Sequence, residues 1–317
     1  MATKLVTVFG GSGFIGRHLV QRLAQQGWLI RIAVRRPSRA QFLKPLGDVG
    51  QITPVAAALQ DPDSLRAAVE GAQAVINLVG LLYEKGAQSF EAVHVEGAKQ
   101  IAQFAAVAGA KDMVQMSAIG ADPKAEADYA RSKGYGELAV RQVFPDVVIV
   151  RPSIVFGPED GFFNRFAGLA RFLPALPLIG GGHTRFQPVY VGDVAEAIAS
   201  TLKWPDCRGE TFELGGPAVY SFKALMEIML AQIGRRRLLL PLPFDIAEWQ
   251  GGLLERLPVP PLTRDQVRML RHDNVVADGA YALSDLGITP TAVETVLPSY
   301  LDRYRVGGRF NTEIRAV

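Results

Sequence analysis

Behind an apolar run, Leu5–Phe9, and ahead of an amphipathic stretch from Arg17 to Gln26, the chain reads Gly10-Gly-Ser-Gly-Phe-Ile-Gly16. That order of strand, glycine loop and helix constrains the fold more than any other feature of the sequence. A tight turn alone requires one glycine. Glycines at 10, 13 and 16 set unpaired backbone N–H groups and the positive end of a helix dipole against a phosphate. Further apolar runs at 29–34, 52–56, 74–79, 112–116 and 147–151 alternate with helical spacing over Asp61–Val69, Ser89–Ala108 and Tyr129–Val143. The alternation predicts an α/β fold with a doubly wound parallel sheet covered on both faces.

At the end of the second run, where an NAD-binding fold carries a carboxylate for the ribose hydroxyls, the chain has Arg35 and Arg36, with Arg39 close behind. A carboxylate repels a 2′-phosphate, whereas a guanidinium holds it in a charge-assisted fork worth about 1.5–3 kcal/mol. The expected cofactor is NADP(H) rather than NAD(H).

After Arg151-Pro152 the regularity breaks down, and prolines and glycines crowd residues 157–188. A strand is expected at Gln187–Val191, then a helix over Asp193–Lys203 capped by Asp193, and another strand at Thr211–Leu214. A Ser221-capped helix to Gln232 follows, with late helices at 245–256, 263–270 and 292–304. Thr263 with Gln266, and Thr291 with Glu294, have capping-box spacing. The expected division is a nucleotide-binding domain over 1–152, to which 187–215 returns, and a smaller subdomain from 153–186 and 216–317.

With 317 residues, 49% of them hydrophobic, the chain can bury a large core, and its net charge of +3 makes no case for nucleic acid. The lone cysteine, Cys207, excludes an intramolecular disulfide and fits a reducing compartment. The four histidines have no metal-ligand spacing, so no metal is expected. The strand-like start without a signal or transit segment, and the lack of a spanning apolar stretch, predict a soluble or peripheral cytoplasmic protein.

Tyr129-Ala-Arg-Ser-Lys133 puts a phenol and an amine on one helix face. Together with Gly10, Gly13 and Gly16, this spacing resembles the extended and atypical short-chain dehydrogenase/reductases, a Rossmann-type family. There the Lys lowers the phenol pKa and the Tyr exchanges a proton with substrate oxygen. The third member should be a Ser or Thr after the fifth strand, and the register places Ile119 there, with Ser117 two residues away. An isoleucine cannot polarise a carbonyl, and one missing donor costs about 10²–10³ in rate. Two further departures are Ala58, where many members carry an Asp near the adenine, and His94, in place of an Asn.

A closer resemblance runs over nearly the whole chain. Val75–Gly80, Ser117–Gly120, Tyr129–Lys133, Phe156–Asp160, Gln187–Val191 with Asp193-Val194, Thr263–Val267 and Tyr304-Arg305 resemble the NADPH-binding accessory subunit of respiratory complex I, NADH:ubiquinone oxidoreductase. That resemblance implies a bacterial homologue, peripheral on the cytoplasmic face of the inner membrane. It implies complex I partners near the quinone-reaction region and a nucleotide held mainly for structure, with weak or no turnover. The nucleotide would be held by Gly10, Ser12, Gly13, Phe14, Ile15, Gly16, Arg35 and Arg36. Leu78, Val79, Gly80, Ser117, Tyr129, Lys133, Pro152 and Ile154 would complete its site. Relatives linked to ubiquinone biosynthesis keep open an active NADPH-dependent reductase or epimerase on a quinone-related or other carbonyl substrate. A sensor of the NADPH/NADP⁺ ratio fits the same residues. Finally, Phe244, Ala247, Trp249, Leu253, Leu254 and Leu257 recur near helical spacing, close to Arg235–Arg237. This stripe reads either as subdomain core or as a surface for a partner or an anionic membrane.

Overall fold

The computed structural model describes residues 4–86 and 88–308. Six strands and four α-helices fill the first half: β1 (Leu5–Phe9), α1 (Phe14–Gln25), β2 (Leu29–Val34), β3 (Ile52–Ala56), α2 (Pro62–Val69), β4 (Ala74–Asn77), α3 (Gly97–Val107), β5 (Asp112–Met116), α4 (Asp128–Val143) and β6 (Val148–Pro152). With a later strand, Thr211–Leu214, they make a seven-stranded sheet. From that strand the order runs β6, β5, β4, β1, β2, β3, with every pairing parallel. The winding reverses between β1 and β4, and ligands of such sheets bind at the carboxyl ends of the strands flanking that reversal. The strands form where β-branched and aliphatic residues run together, because both faces are covered. Val6, Val8, Ile30, Ile32, Val75, Ile76, Val114 and Ile149 are all essentially inaccessible, each worth about 1.5–3 kcal/mol of transfer from water.

Local chemistry sets the element ends. Asp61 caps α2, its carboxylate accepting from Ser64 N–H at 3.3 Å. β4 stops at Asn77, short of the expected 79, because the Asn77 carboxamide oxygen takes the Val79 N–H (3.0 Å) and turns the chain outward. The helix expected over Ser89–Ala108 is divided: Glu91–Glu96 is wound as a π-helix, and α3 starts at Gly97. A 3-10 helical stretch, Pro37–Leu46, carries Arg39 and went unforeseen.

The chain forms two compact units. The first comprises residues 1–152, 192–214 and 278–288, and the second 153–191, 215–277 and 289–317. Residues 187–191, expected with the nucleotide-binding domain, group with the second unit. Only Val189–Tyr190 is strand there, paired with Val155–Phe156. The next helix opens at Val191, so Asp193 lies in its first turn and is not its cap. Residues 278–288 return to the first unit, where the Tyr281 carbonyl accepts from Glu213 N–H at 2.8 Å and the Tyr281 ring meets Phe212.

In the second unit the stretch at 157–188 is more regular than its prolines and glycines suggest. Buried Asp160 accepts from the backbone N–H groups of Gly157, Phe162 and Asn164, starting a helix at Phe163–Phe172. A strand at Ala175–Ile179 then pairs in parallel with Leu238–Leu242. The Ser221 cap and the Thr263–Gln266 capping box both form. At the box expected from Thr291, the helix cap falls one residue later, on Ala292. The 244–257 stripe is not one face: Ala247 is buried against Ile179 and Val267, while Trp249, Leu253 and Leu257 are exposed.

Candidate functional site

The loop behind β1 turns at Gly10, whose φ of +76° a side chain would strain, and folds back through Gly13 N–H to the Gly10 carbonyl at 3.0 Å. α1 lies so close to this loop that a Cβ on Gly16 would sit 2.5 Å from the Gly10 oxygen. The first intrahelical bond runs from Arg17 N–H to the Gly13 carbonyl (3.1 Å), leaving the amides of Phe14, Ile15 and Gly16 ahead of the ladder. No side chain caps this end and its first turn holds no acid. The backbone donors are therefore presented to whatever anion fills the cavity in front of them.

That cavity has a volume of about 590 Å³. Its walls are the loop (Phe9, Gly10, Ser12, Gly13), the end of β2 (Arg35, Arg36, with Arg39) and the turn after β4 (Leu78, Val79, Gly80). Among the described residues lining it stand three arginines and no carboxylate. Leu59, Gln60 and Leu65 close the side that Ala58 leaves without an acid.

The wall at Gly80 leads to α4. A Cβ on Gly80 would stand 3.3 Å from Lys133 Nζ. That amine donates to the Met116 carbonyl at 3.2 Å and lies 5.9 Å from the Tyr129 ring centroid. Burial pushes the Lys133 pKa down to about 8, against the opposing pull of Glu137. Burial also pushes the Tyr129 phenol up to about 12. Desolvation sets the direction of both shifts.

His94 was marked in the sequence only as a substitution. Its Nε2 accepts from Leu81 N–H at 2.9 Å, its Nδ1 lies 2.8 Å from Ser132 Oγ, and Ser132 donates to the Tyr129 carbonyl at 2.8 Å. An acceptor at Nε2 and a hydroxyl already donating elsewhere define the neutral ring with its proton on Nδ1. Burial, reinforced by Lys133, pushes its pKa down to about 3. The ring stacks on Phe90 and meets Tyr129 edge-on. His94 thus ties the cavity wall after Gly80 to the helix that carries Tyr129 and Lys133.

Ser117 faces away from this arrangement. Its hydroxyl donates to the Glu137 carboxylate. Arg151 clasps Glu137 through two bonds, Nε–Oε1 at 2.9 Å and Nη2–Oε2 at 2.6 Å, and reaches Glu213 at 3.4 Å. The sheet register sets Glu213 beside Arg151. Charged residues inside two otherwise apolar strands, Val148–Pro152 and Thr211–Leu214, were the available signal for this network, since buried charges require partners. Ile119, the aliphatic residue after β5, is held by its N–H bond to the Pro152 carbonyl at 3.1 Å. Of the residues singled out in the sequence, Gly10, Ser12, Gly13, Arg35, Arg36, Leu78, Val79 and Gly80 share the cavity. Lys133 stands beside its Gly80 end with Tyr129 next to it, Ser117 is bonded to Glu137, Pro152 ends β6, and Ile154 falls in the other unit.

A fold wound in this order, with a glycine turn at its reversal, is that of the NAD dependent epimerase/dehydratase family, whose model matches residues 6–215; the chain belongs to this family. Within it, the chain is 38% identical over 313 residues to the rat (Rattus norvegicus) protein named NADH dehydrogenase (ubiquinone) 1 alpha subcomplex subunit 9, mitochondrial, covering 98% of this chain and 83% of the relative. The Arabidopsis thaliana protein of the same name is 36% identical over 316 residues, covering 96% and 79%. Among solved structures, the triphenylmethane reductase of Citrobacter sp. superposes with a TM-score of 0.75 at 18% identity, covering 93% of this chain and 99% of that one, and shares the fold. Among the described residues, no helix is long and apolar enough to cross a membrane.

Proposed function

We propose that this chain is an NADP(H)-holding accessory subunit of an NADH:ubiquinone oxidoreductase of the complex I type, in which the nucleotide is chiefly a structural ligand. The observation that carries this reading is the similarity to the subunit 9 proteins over nearly the full chain. The residues present fit the cofactor. The uncapped start of α1, pressed against Gly10 through Gly16, suits a pyrophosphate, and the arginines at the end of β2 suit a 2′-phosphate. Gly10, Ser12, Gly13, Phe14, Ile15 and Gly16 would hold the phosphates, Arg35 and Arg36 the 2′-phosphate, and Leu78–Gly80 the far wall. Lys133, at the Gly80 edge, would hold a ribose hydroxyl, with Ser117 and Pro152 in the surroundings.

When bound, NADP(H) supplies a transferable hydride. The chain's own groups favour holding over turnover: Ser117 is committed to Glu137, and Ile119 has no hydroxyl. A ligand that binds only the folded state stabilises it by about 2.7 kcal/mol at a hundredfold excess over Kd. That is a sufficient role without chemistry. The partners would be complex I subunits near the quinone-reaction region, on the cytoplasmic face of a bacterial inner membrane.

The test is to tag the chain, solubilise its native membranes gently and resolve the extract on a native gel. Migration with NADH:ubiquinone oxidoreductase activity, with NADPH recovered unconsumed, is expected; a chain that migrates alone sinks the proposal. The Tyr129 and Lys133 pair beside Gly80 favours a second reading, an NADPH-dependent reductase or epimerase on a carbonyl or quinone-related substrate. NADPH oxidation with such substrates, abolished in Tyr129→Phe, would establish it.

A further inference from the structure

The two-stranded ribbon of the second unit is apolar on both faces. Leu176 and Leu178, with Leu239, pack into that unit's core. The opposite face carries Leu238, 67% exposed, and Leu240, 52% exposed, the latter in register with exposed Pro177. Parallel strands are ordinarily covered on both sides, and here one side meets solvent. The helix leading into the ribbon adds Phe172, 81% exposed, and Leu173; Leu238 N–H bonds the Pro174 carbonyl next to them at 3.2 Å.

Four arginines stand against this patch. Arg237 Nε donates to the Ala170 carbonyl (2.8 Å) at the end of that helix, and Arg235 Nε donates to the Tyr304 carbonyl (3.0 Å). Arg171 lies over the Phe172 ring at 5.4 Å, and Arg236 is exposed. Burial first, then the charges of Arg237 and Arg171, press the Arg235 pKa downward. Three guanidiniums therefore feel one another, and none of the four arginines forms an ion pair with a described residue. Backbone carbonyls fix two of the side chains, Arg235 through one N–H and Arg237 through two, its Nη1 also donating to the Arg236 carbonyl at 2.8 Å, which leaves the remaining donors for an outside anion.

We propose that this face, the outer side of the 175–179/238–242 ribbon with its four arginines, lies on an anionic phospholipid surface. The exposed apolar groups are Leu, Pro and Phe, which enter the acyl boundary without needing hydrogen-bond partners, while the guanidiniums sit at phosphate level. This reassigns the docking role: Arg235–Arg237 work with residues 172–173 and 238–240 rather than with the stripe at 244–257. It rests on the peripheral placement proposed above and names the surface responsible for it.

The experiment is flotation of the full chain with vesicles of phosphatidylcholine, with and without phosphatidylglycerol. Binding only to the anionic vesicles, and its release by high salt, are expected. Arg171→Glu combined with Arg236→Glu, two exposed side chains, should weaken binding by well over tenfold, at about fivefold per arginine removed. Leu238→Ser with Leu240→Ser should weaken binding without changing its salt dependence, and thermal melts check that each variant is folded. Failure to float with anionic vesicles overturns the proposal, as does binding that neither double variant weakens. Loss of co-migration with complex I in the arginine variant, with no vesicle binding by the parent chain, would make the face a protein interface and also overturns it. A chain that floats as expected but never joins complex I sinks the subunit reading and leaves this one standing.

Discussion

The glycine turn behind β1 lines the cavity and the α4 corner stands just behind its Gly80 wall, and the two are finished differently. At the turn, every feature that serves an anion is in place: a positive-φ glycine, a helix packed to backbone contact, free first-turn amides and three arginines. At the corner, polar groups are present and turned to internal use. Ser117 serves Glu137, Ser132 serves His94 and its own helix, and the Lys133 amine serves the Met116 carbonyl. One end presents free backbone donors and the other has its polar groups bonded within the scaffold. If that division reflects their work, the turn holds the ligand and the corner contributes rigidity.

If the corner is structural, breaking its wiring should cost stability before it costs anything else. Arg151→Met removes the partner of two buried carboxylates, and such losses cost about 3–5 kcal/mol. The low end is expected, because Lys133 still faces Glu137. A urea denaturation midpoint measures it, and an unshifted midpoint would mean that the network is ornamental.

Acid should act through His94. Its folded pKa, about 3, lies below the ordinary 6.5. Between those values the unfolded chain binds a proton that the folded chain refuses, so stability falls as pH drops from 6.5 toward 3, by up to roughly 1.4 kcal/mol per unit. His94→Asn should flatten this limb in melts taken across the range. A limb equally steep in the variant would assign it to other groups.

The open end is tested by Arg35→Asp. NADPH should bind about tenfold to a hundredfold more weakly and NADH no more weakly than before, read by titration calorimetry. Equal losses for both nucleotides would move the phosphate contact elsewhere.

The difference between the two ends also explains what could be read in the sequence. The turn is a local object: Gly10, Gly13 and Gly16 fall within one strand-to-helix connection, and Arg35 follows the next strand, so pattern and spacing reveal them. The six strands were legible for the same reason, since buried parallel strands are runs of aliphatic residues. The corner is assembled from α4, β5, β6 and Thr211–Leu214. That Ser117 would meet Glu137, and Glu137 would meet Arg151, depends on sheet order, which no local window contains. His94 was visible as a departure, but its bridging role depends on the π-wound turn at Glu91–Glu96. The Phe163–Phe172 helix was hidden because its start is organised by Asp160, whose carboxylate gathers three amides and the Tyr300 hydroxyl from a distant helix.

The smallest effect is expected where an enzyme would show the largest. Tyr129→Phe deletes one hydroxyl from a residue absent from the cavity's lining, in a group that burial keeps protonated at neutral pH. Losing it leaves the glycine turn, the arginines and the Gly80 wall untouched. NADPH affinity should therefore change by less than about threefold, which is under 1 kcal/mol. Stability should move by no more than about 1 kcal/mol, and assembly with the membrane complex should persist. Calorimetry, melting and the native gel read these three quantities independently. A variant that keeps its nucleotide and its place in the complex would show that the phenol is a remnant of proton transfer within a binding scaffold. A variant that binds NADPH normally and loses a measurable NADPH oxidation present in the parent would reverse the comparison, making the wired corner the working one.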